Sequence, residues 1–103
     1  MYEYKAMVVK VVDGDTYDVM IDLGFDIRHQ IRLRLYGYDA PEVRGEERER
    51  GLIMSAFVRE AILGKMVTVK TYKDSKEKYG RYLADIILED GTSLKTLLEG
   101  FHF

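Results

Sequence analysis

Two carboxylates and an arginine that could bind a cation and a phosphate lie close together in this sequence. Arg34, Asp39 and Glu42 fall within nine positions, with the chain's only proline, Pro41, between the two acids. Proline fixes φ and disfavours helix at the residue before it, so we expect the acids to lie on a rigid corner after an extended segment. Carboxylates are the ligands that calcium and magnesium prefer, and arginine suits phosphate oxygens. The pattern therefore indicates a hard cation beside a phosphate.

Two other short stretches could contribute to the same site. Asp13-Gly14-Asp15-Thr16 precedes the corner, and Lys78-Tyr79-Gly80-Arg81 follows it. Each has a simpler interpretation when taken alone, because Asp-Gly is favoured in hairpin turns by its tolerance of positive φ, and the second stretch could be a turn before a strand. Arg34 and Asp39 alone could form an exposed ion pair worth under about 1 kcal/mol. Without a functional site, all these simple structural interpretations would have to be true at once. A functional site is therefore the better hypothesis.

The composition favours one domain with a heavily charged surface. The chain has 103 residues, of which 47% are hydrophobic and 33% charged, so a single domain spanning residues 1–103 is expected. No apolar run approaches the roughly 20 residues of a membrane span, and no long apolar stretch follows the N-terminus as in a signal peptide. The sequence contains no cysteine, so nothing requires an oxidising compartment. A cytoplasmic location is the default expectation, with secretion left open.

The charge balance gives a mixed indication about nucleic-acid binding. The formal net charge of −2 argues against binding through a broadly basic surface, because such affinity depends on Lys and Arg neutralising phosphates. The segment 65–81 nevertheless carries six basic residues against two acids. This segment could be a solvated strand and loop with ordinary lysines, or part of a basic surface.

The residues before the corner predict three strands in a meander. Lys5–Val12 is rich in Val and Met, as expected of a first strand. Over 17–23 and 27–36, apolar and polar side chains alternate with the period of two that is typical of half-buried strands. Arg34 falls on the polar side of the third strand, so we expect its side chain to point away from the core, where it could meet a ligand.

The rest of the sequence predicts a helix, two strands and a short final helix. Apolar residues recur at helical spacing over Glu47–Leu63, and Gly64 is suited to end that helix. Strands are expected over 66–72 and 82–88, followed by a short helix that Ser93 could cap. This order is the one expected of a mainly β (α+β) fold, a five-stranded Greek-key OB-fold barrel with a helix between strands 3 and 4 and a short C-terminal helix. An α+β sandwich is the alternative.

Three separated blocks of the sequence resemble the signature blocks of a known family. The blocks are Val12-Asp13-Gly14-Asp15-Thr16, Ile31-Arg32-Leu33-Arg34-Leu35-Tyr36-Gly37-Tyr38-Asp39-Ala40-Pro41-Glu42 and Lys78-Tyr79-Gly80-Arg81-Tyr82-Leu83-Ala84. In this order and spacing they look like those of the staphylococcal nuclease (thermonuclease) family, and the resemblance covers Val8–Gly100. It implies an OB-fold barrel, calcium as the cofactor, and hydrolysis of phosphodiester bonds in DNA and RNA.

The resemblance also implies a set of metal-binding residues. Asp15 and Asp39 match the family's calcium-ligating aspartates. Ala40 stands where the family often has threonine, at a position that contributes its backbone carbonyl to the metal, so alanine should preserve the bond. Asp13 matches an acid that supports the metal ligands without binding the metal itself.

A second implied set acts on the substrate. Glu42 matches the glutamate proposed as the general base on the attacking water. Arg34 and Arg81 match the two arginines that bind the scissile phosphate. Lys78 and Tyr79 match positions that contact a terminal phosphate of a nucleotide. The resemblance therefore gives this chain a complete set of residues for phosphodiester hydrolysis.

Two other classes of function remain as alternatives. The chain could be a catalytically idle nuclease-like OB module that binds nucleic acid or protein, or a purely structural interaction domain. Idle copies commonly lose a catalytic acid or arginine, and here each is present, which favours the enzyme. The expected partners are DNA, RNA or both, with no membrane, and the chain is expected to act as a monomer. A preference for DNA or RNA does not follow from the residues.

Overall fold

The fold is built from strands that pair mainly with their neighbours in sequence. The computed structural model describes residues 2–76 and 80–101. It describes the side chains of all these residues except 73–76. A 3-10 turn, Gly45–Glu47, leads into the first helix. Within this described part the strands and helices are β1 (Tyr2–Asp13), β2 (Thr16–Asp22), β3 (Arg28–Leu35), α1 (Arg48–Ile62), β4 (Met66–Lys76), β5 (Tyr82–Ile87) and α2 (Leu94–Glu99).

The strands form a closed barrel in the order β1-β2-β3-β5-β4. Neighbouring strands are antiparallel, except that β3 and β5 run parallel. The predicted five-stranded barrel, with a helix between strands 3 and 4 and a short C-terminal helix, is confirmed. The alternative sandwich is wrong, because pairing of β4 with β1 closes the sheet on itself.

Near the corner, the apolar side chains that alternate along β2 and β3 fill the inside of the barrel, as predicted. Tyr17, Val19, Leu33 and Leu35 are buried in the core. Leu23 and Ile27, which the alternation places on the same apolar faces, are exposed instead. They belong to the end of the β2–β3 hairpin, and β5 pairs with β3 only over 33–35, so this end lies outside the closed part of the barrel.

The predicted boundaries need correction at two strands. β1 begins at Tyr2 and not at Lys5, because its first residues pair with 66–71 of β4. β4 runs to Lys76, beyond the predicted end at Tyr72. Periodicity alone does not define these ends, because they depend on pairing with distant residues.

The helix α1 covers one end of the barrel core. Met54, Val58 and Ile62 follow one another at helical spacing and are fully buried. Leu94 and Leu98 of α2 join the same core. Neither helix in this described part combines the length and the apolar character that crossing a membrane would require.

Candidate active site

A cleft of about 910 Å³ opens where the β1–β2 turn, the corner at residues 39–42 and Arg81 meet. All the predicted site residues within the described part of the chain line this cleft. Lys78 and Tyr79 lie outside the described residues. The predicted residues that line the cleft are Asp13, Asp15, Arg34, Asp39, Ala40, Glu42 and Arg81.

Strand pairing explains why residues so distant in sequence meet here. The β1–β2 turn lies beside the end of β3, since Thr16 pairs with Arg34 and the Leu35 amide donates to the Asp15 carbonyl at 2.9 Å. The parallel pairing of Arg34 with Leu83 brings the start of β5 to the same place. The first turn, the corner and the segment before β5 therefore share one end of the barrel.

Asp15 is the buried acid of the cleft, with only 9% of its surface exposed. Its Oδ1 accepts a hydrogen bond from the Thr16 hydroxyl at 3.1 Å, and its Oδ2 accepts one from the Ala40 amide at 2.9 Å. The Asp15 amide in turn donates to Oδ1 of Asp13 at 3.0 Å. Burial raises the pKa of Asp15, and the neighbouring Asp13 adds to the rise, while the Ala40 amide and Arg34 oppose it. The position thus concentrates negative charge in a poorly solvated place.

Arg34 connects the acids of the cleft with the backbone of the corner. Its Nη1 donates to the carbonyl of Leu35 at 2.6 Å and also to the carbonyl of Tyr38. Its Nη2 bonds Oδ1 of Asp39 and lies 3.5 Å from Oδ2 of Asp15. Only 16% of the Arg34 side chain is exposed, whereas 93% of the Asp39 side chain is exposed. The guanidinium is therefore held in one orientation, with both carboxylates facing the same nitrogen.

Arg81 approaches the acids from the other side through a hydroxyl. Its Nη1 donates to Oγ1 of Thr16 at 3.0 Å, and that hydroxyl donates onward to Asp15. Thr16 is almost fully buried, and the family resemblance implies no particular role for it. The structure brings it into the site as the link between Arg81 and Asp15.

The donor set at this end of the cleft is suited to a hard cation. Asp15, Asp39 and the Ala40 carbonyl offer only oxygen atoms, which calcium and magnesium prefer as ligands. Burial, together with the nearby Asp13, raises the pKa of Asp15, and a bound cation would favour the charged form of this carboxylate. No group of three His, Cys, Asp or Glu side chains is arranged to hold a metal among the described residues. In the present arrangement, the positive charge between the two carboxylates is the Arg34 guanidinium.

Glu42 lies on the cleft wall just after Pro41, with its side chain exposed. Its backbone is packed directly against α1 at Gly51. A Cβ at position 51 would lie 2.1 Å from the Glu42 carbonyl oxygen and 2.8 Å from the Val43 nitrogen. No larger residue fits between helix and corner without moving one of them, so the glycine fixes how closely Glu42 approaches α1.

Comparison with known proteins decides the family. The model of the family described as staphylococcal nuclease homologue matches residues 32–100. The chain belongs to the staphylococcal nuclease family. The match includes the end of β3, the corner and Arg81, where most of the residues that line the cleft lie.

Several curated relatives are similar to this chain. An uncharacterized endonuclease of Escherichia coli is 33% identical over 91 residues, covering 88% of this chain and 53% of the relative. Protein ParB of E. coli is 34% identical over 86 residues, covering 82% and 42%. Endonuclease YhcR of Bacillus subtilis is 32% identical over 101 residues, covering 89% and 8%. The chain thus spans about half the length of the E. coli endonuclease and a small part of YhcR.

Two glycines shape the site of this staphylococcal nuclease family member in ways that sequence reasoning missed. Gly14 was expected to adopt positive φ in a hairpin turn, but its φ is not positive. A Cβ there would lie 2.6 Å from Cβ of Ala40 and 2.6 Å from Cγ of Met54, so close packing is the reason for glycine. The sequence does contain an indication of the role of Gly51. A glycine inside a helical pattern costs about 1 kcal/mol relative to alanine, so it usually has a packing reason.

Gly51→Ala is expected to lower the stability of the protein. Helix propensity alone predicts a protein more stable by about 1 kcal/mol. The new methyl would instead overlap the Glu42 carbonyl, and overpacking of this kind typically costs about 1–3 kcal/mol. We therefore expect a lower urea midpoint, because the Glu42 backbone must shift away from α1.

Leu52→Ala is the control for this change, since Leu52 is an exposed neighbour on the same helix. It should leave the urea midpoint almost unchanged. A Gly51→Ala protein that is more stable than wild type would show that the corner does not depend on this contact.

Proposed function

We propose that this chain is a calcium-dependent nuclease domain that hydrolyses phosphodiester bonds of DNA, RNA or both. The observation that carries the proposal is the convergence of two arginines, two aspartates and a glutamate in one cleft of a staphylococcal nuclease family member. The names of the E. coli and B. subtilis relatives, which include the word endonuclease, support the same activity.

Hydrolysis of a phosphodiester requires that negative charge be neutralised and that a water be activated. The diester repels hydroxide, and charge builds on the equatorial oxygens in the transition state. Arg34 and Arg81 suit the first task because each presents a planar fork of donors that stays protonated. The Leu35 and Tyr38 carbonyls orient the Arg34 fork, and Thr16 orients that of Arg81. Both donors would thus be positioned before the substrate arrives.

Glu42 is the proposed general base. Its carboxylate is exposed in the same cleft and is carried by the corner that Pro41 and Gly51 make rigid. In this role it accepts a proton from the attacking water as the new P–O bond forms. The leaving oxygen departs with the electron pair of the broken P–O bond.

Calcium is part of the proposal because the buried Asp15 and the exposed Asp39 both bring oxygen donors to the cleft. Asp15, Asp39 and the Ala40 carbonyl would hold it, with Asp13 bonded to the Asp15 amide behind them. When bound, the ion would supply charge neutralisation at the phosphate and would help to lower the pKa of a bound water. Arg34 already occupies the space between Asp15 and Asp39, so it would share the two carboxylates with the ion.

Removing calcium should abolish cutting. We expect single-stranded DNA or RNA to be cleaved in excess calcium, and the rate to fall at least about a hundredfold in excess EDTA, since a catalytic metal contributes several kcal/mol. Gel analysis of an end-labelled oligonucleotide measures both rates. Asp39→Asn should raise the calcium concentration needed for half-maximal rate.

Asp26→Asn is the matched control for the metal ligand. Asp26 is an exposed aspartate in the β2–β3 turn with φ of 63°, which asparagine tolerates equally well. Cutting that persists in EDTA would contradict calcium dependence. A folded protein that does not cut in calcium would instead support the idle binding module, and a gel shift with the same oligonucleotide would separate nucleic-acid binding from protein binding.

A further inference from the structure

Arg32 is a cleft residue that the proposed hydrolysis does not use. It lies two positions before Arg34 on β3, on the same face of the strand, and it lines the same cleft. Residues two apart on a strand are separated by about 6.7 Å along its axis. Of the Arg32 side chain, 45% is exposed, so its charge remains accessible to a ligand. The cleft therefore offers a further cation one strand repeat away from the one assigned to the scissile phosphate.

Asp18 holds the Arg32 guanidinium in a fixed orientation. The two residues pair across β2 and β3. Nε of Arg32 donates to Oδ1 of Asp18 at 2.7 Å, and Nη2 donates to Oδ2 at 3.1 Å, which is a bidentate arrangement. Asp18 is largely buried, and its hydrogen bonds with Arg32 lower its pKa. The carboxylate therefore remains charged and holds the planar fork in place.

This pairing leaves donors for a second acceptor. A guanidinium carries five N–H groups, and Asp18 takes one from Nε and one from Nη2. The remaining groups, on Nη1 and Nη2, lie on other edges of the plane. Lys10 pairs with Asp18 from the β1 side, so this row across three strands carries two positive charges and one negative charge. The row is thus net positive despite its ion pair.

We propose that Arg32 binds a second phosphate of a polynucleotide, next along the strand from the phosphate assigned to Arg34 and Arg81, and that Asp18 orients it. The inference rests on the proposed nuclease function and specifies its substrate as a strand with at least two consecutive phosphates. A strand carries one phosphate per nucleotide, so cations repeated along β3 match its charge pattern. The alternative is a cross-strand ion pair that only stabilises the sheet, which is typically worth under about 1 kcal/mol.

The test compares substrates that have one and two phosphates. Kinetics in excess calcium are measured on the thymidine dinucleotide with a single phosphodiester and on the trinucleotide with two. Arg32→Gln is expected to raise KM for the trinucleotide about tenfold, with KM for the dinucleotide unchanged. For the trinucleotide, the slope of log KM against log salt should fall by about 0.7, the value for one lost phosphate contact on a single strand.

Asp18→Asn tests whether orientation matters in addition to charge. Removing this negative charge would by itself attract the substrate more strongly and lower KM. If Asp18 orients Arg32, KM for the trinucleotide rises instead, and KM for the dinucleotide does not change. A lower trinucleotide KM in Asp18→Asn would overturn the orienting role.

Arg28→Gln is the matched control, because Arg28 is an exposed arginine on the same strand that does not line the cleft. It should change neither KM nor the salt slope. Urea unfolding of each variant gives its folded fraction, and the measured rates are corrected for that fraction. Equal effects of Arg32→Gln on both substrates, or no effect on either, would overturn this inference while leaving the nuclease function intact. Wild-type protein that cuts neither substrate nor longer single strands would overturn both.

Discussion

Arg81→Ala is expected to lower kcat on single-stranded DNA at least about a hundredfold while the protein still folds. Removing one donor to developing negative charge typically costs about 3 kcal/mol in the transition state, and each 1.36 kcal/mol is tenfold in rate. Arg34→Ala should lose at least as much. Arg34 also bonds the carbonyls of Leu35 and Tyr38, so its removal should in addition cost about 1–3 kcal/mol of stability.

Arg34→Lys separates the role of charge from that of geometry. Lysine keeps the positive charge but cannot present two parallel donors to a phosphate, so most of the loss should remain. Single-turnover rates in saturating calcium measure the chemical step. Arg59→Ala, on the exposed face of the last turn of α1, is the control and should turn over normally. Near-normal turnover by Arg34→Ala or Arg81→Ala would remove that arginine from the mechanism.

The strands near the corner, the first helix and the corner itself were predictable because their signals are local. Alternation over 17–21 and 33–35 follows from the two-residue period of a strand, and it places Arg34 opposite the buried Leu33 and Leu35. Proline restricts its own φ and that of the residue before it, whatever the tertiary structure. The change to helical periodicity after the corner depends on spacing within one segment. Each of these features is set by residues a few positions apart.

The features that the sequence did not reveal depend on contacts between distant segments. The pairing of Asp18 with Arg32 requires the register of β2 against β3, and a shift of one residue would separate them. The close approach of Gly51 to Glu42 requires the crossing of α1 over the corner. The implied phosphate-binding roles of Lys78 and Tyr79 stay predictions, as do the catalytic roles of the residues in the cleft.

Glu42→Gln should have an effect as large as the arginine substitutions. We expect kcat to fall about a thousandfold and KM to change little. Positioned proton transfer typically contributes about 10²–10⁴ in rate, and glutamine keeps the size of the side chain but cannot accept the proton. The Glu42 side chain is exposed, and the shape of the corner comes from Pro41 and Gly51. Folding and substrate binding should therefore survive, and the loss should appear in the chemical step.

Dependence on pH distinguishes a base from a residue that merely adds negative charge. Without a base, the residual rate of Glu42→Gln should rise with pH as hydroxide replaces the activated water. Glu47→Gln is a matched control, because Glu47 lines the same cleft and its substitution removes the same charge. An equal loss of rate in Glu47→Gln would show that the effect comes from the negative charge in the cleft and not from a base. A general base must lie within hydrogen-bond reach of the water. A Glu42→Gln protein that cuts at close to the wild-type rate would place the base elsewhere.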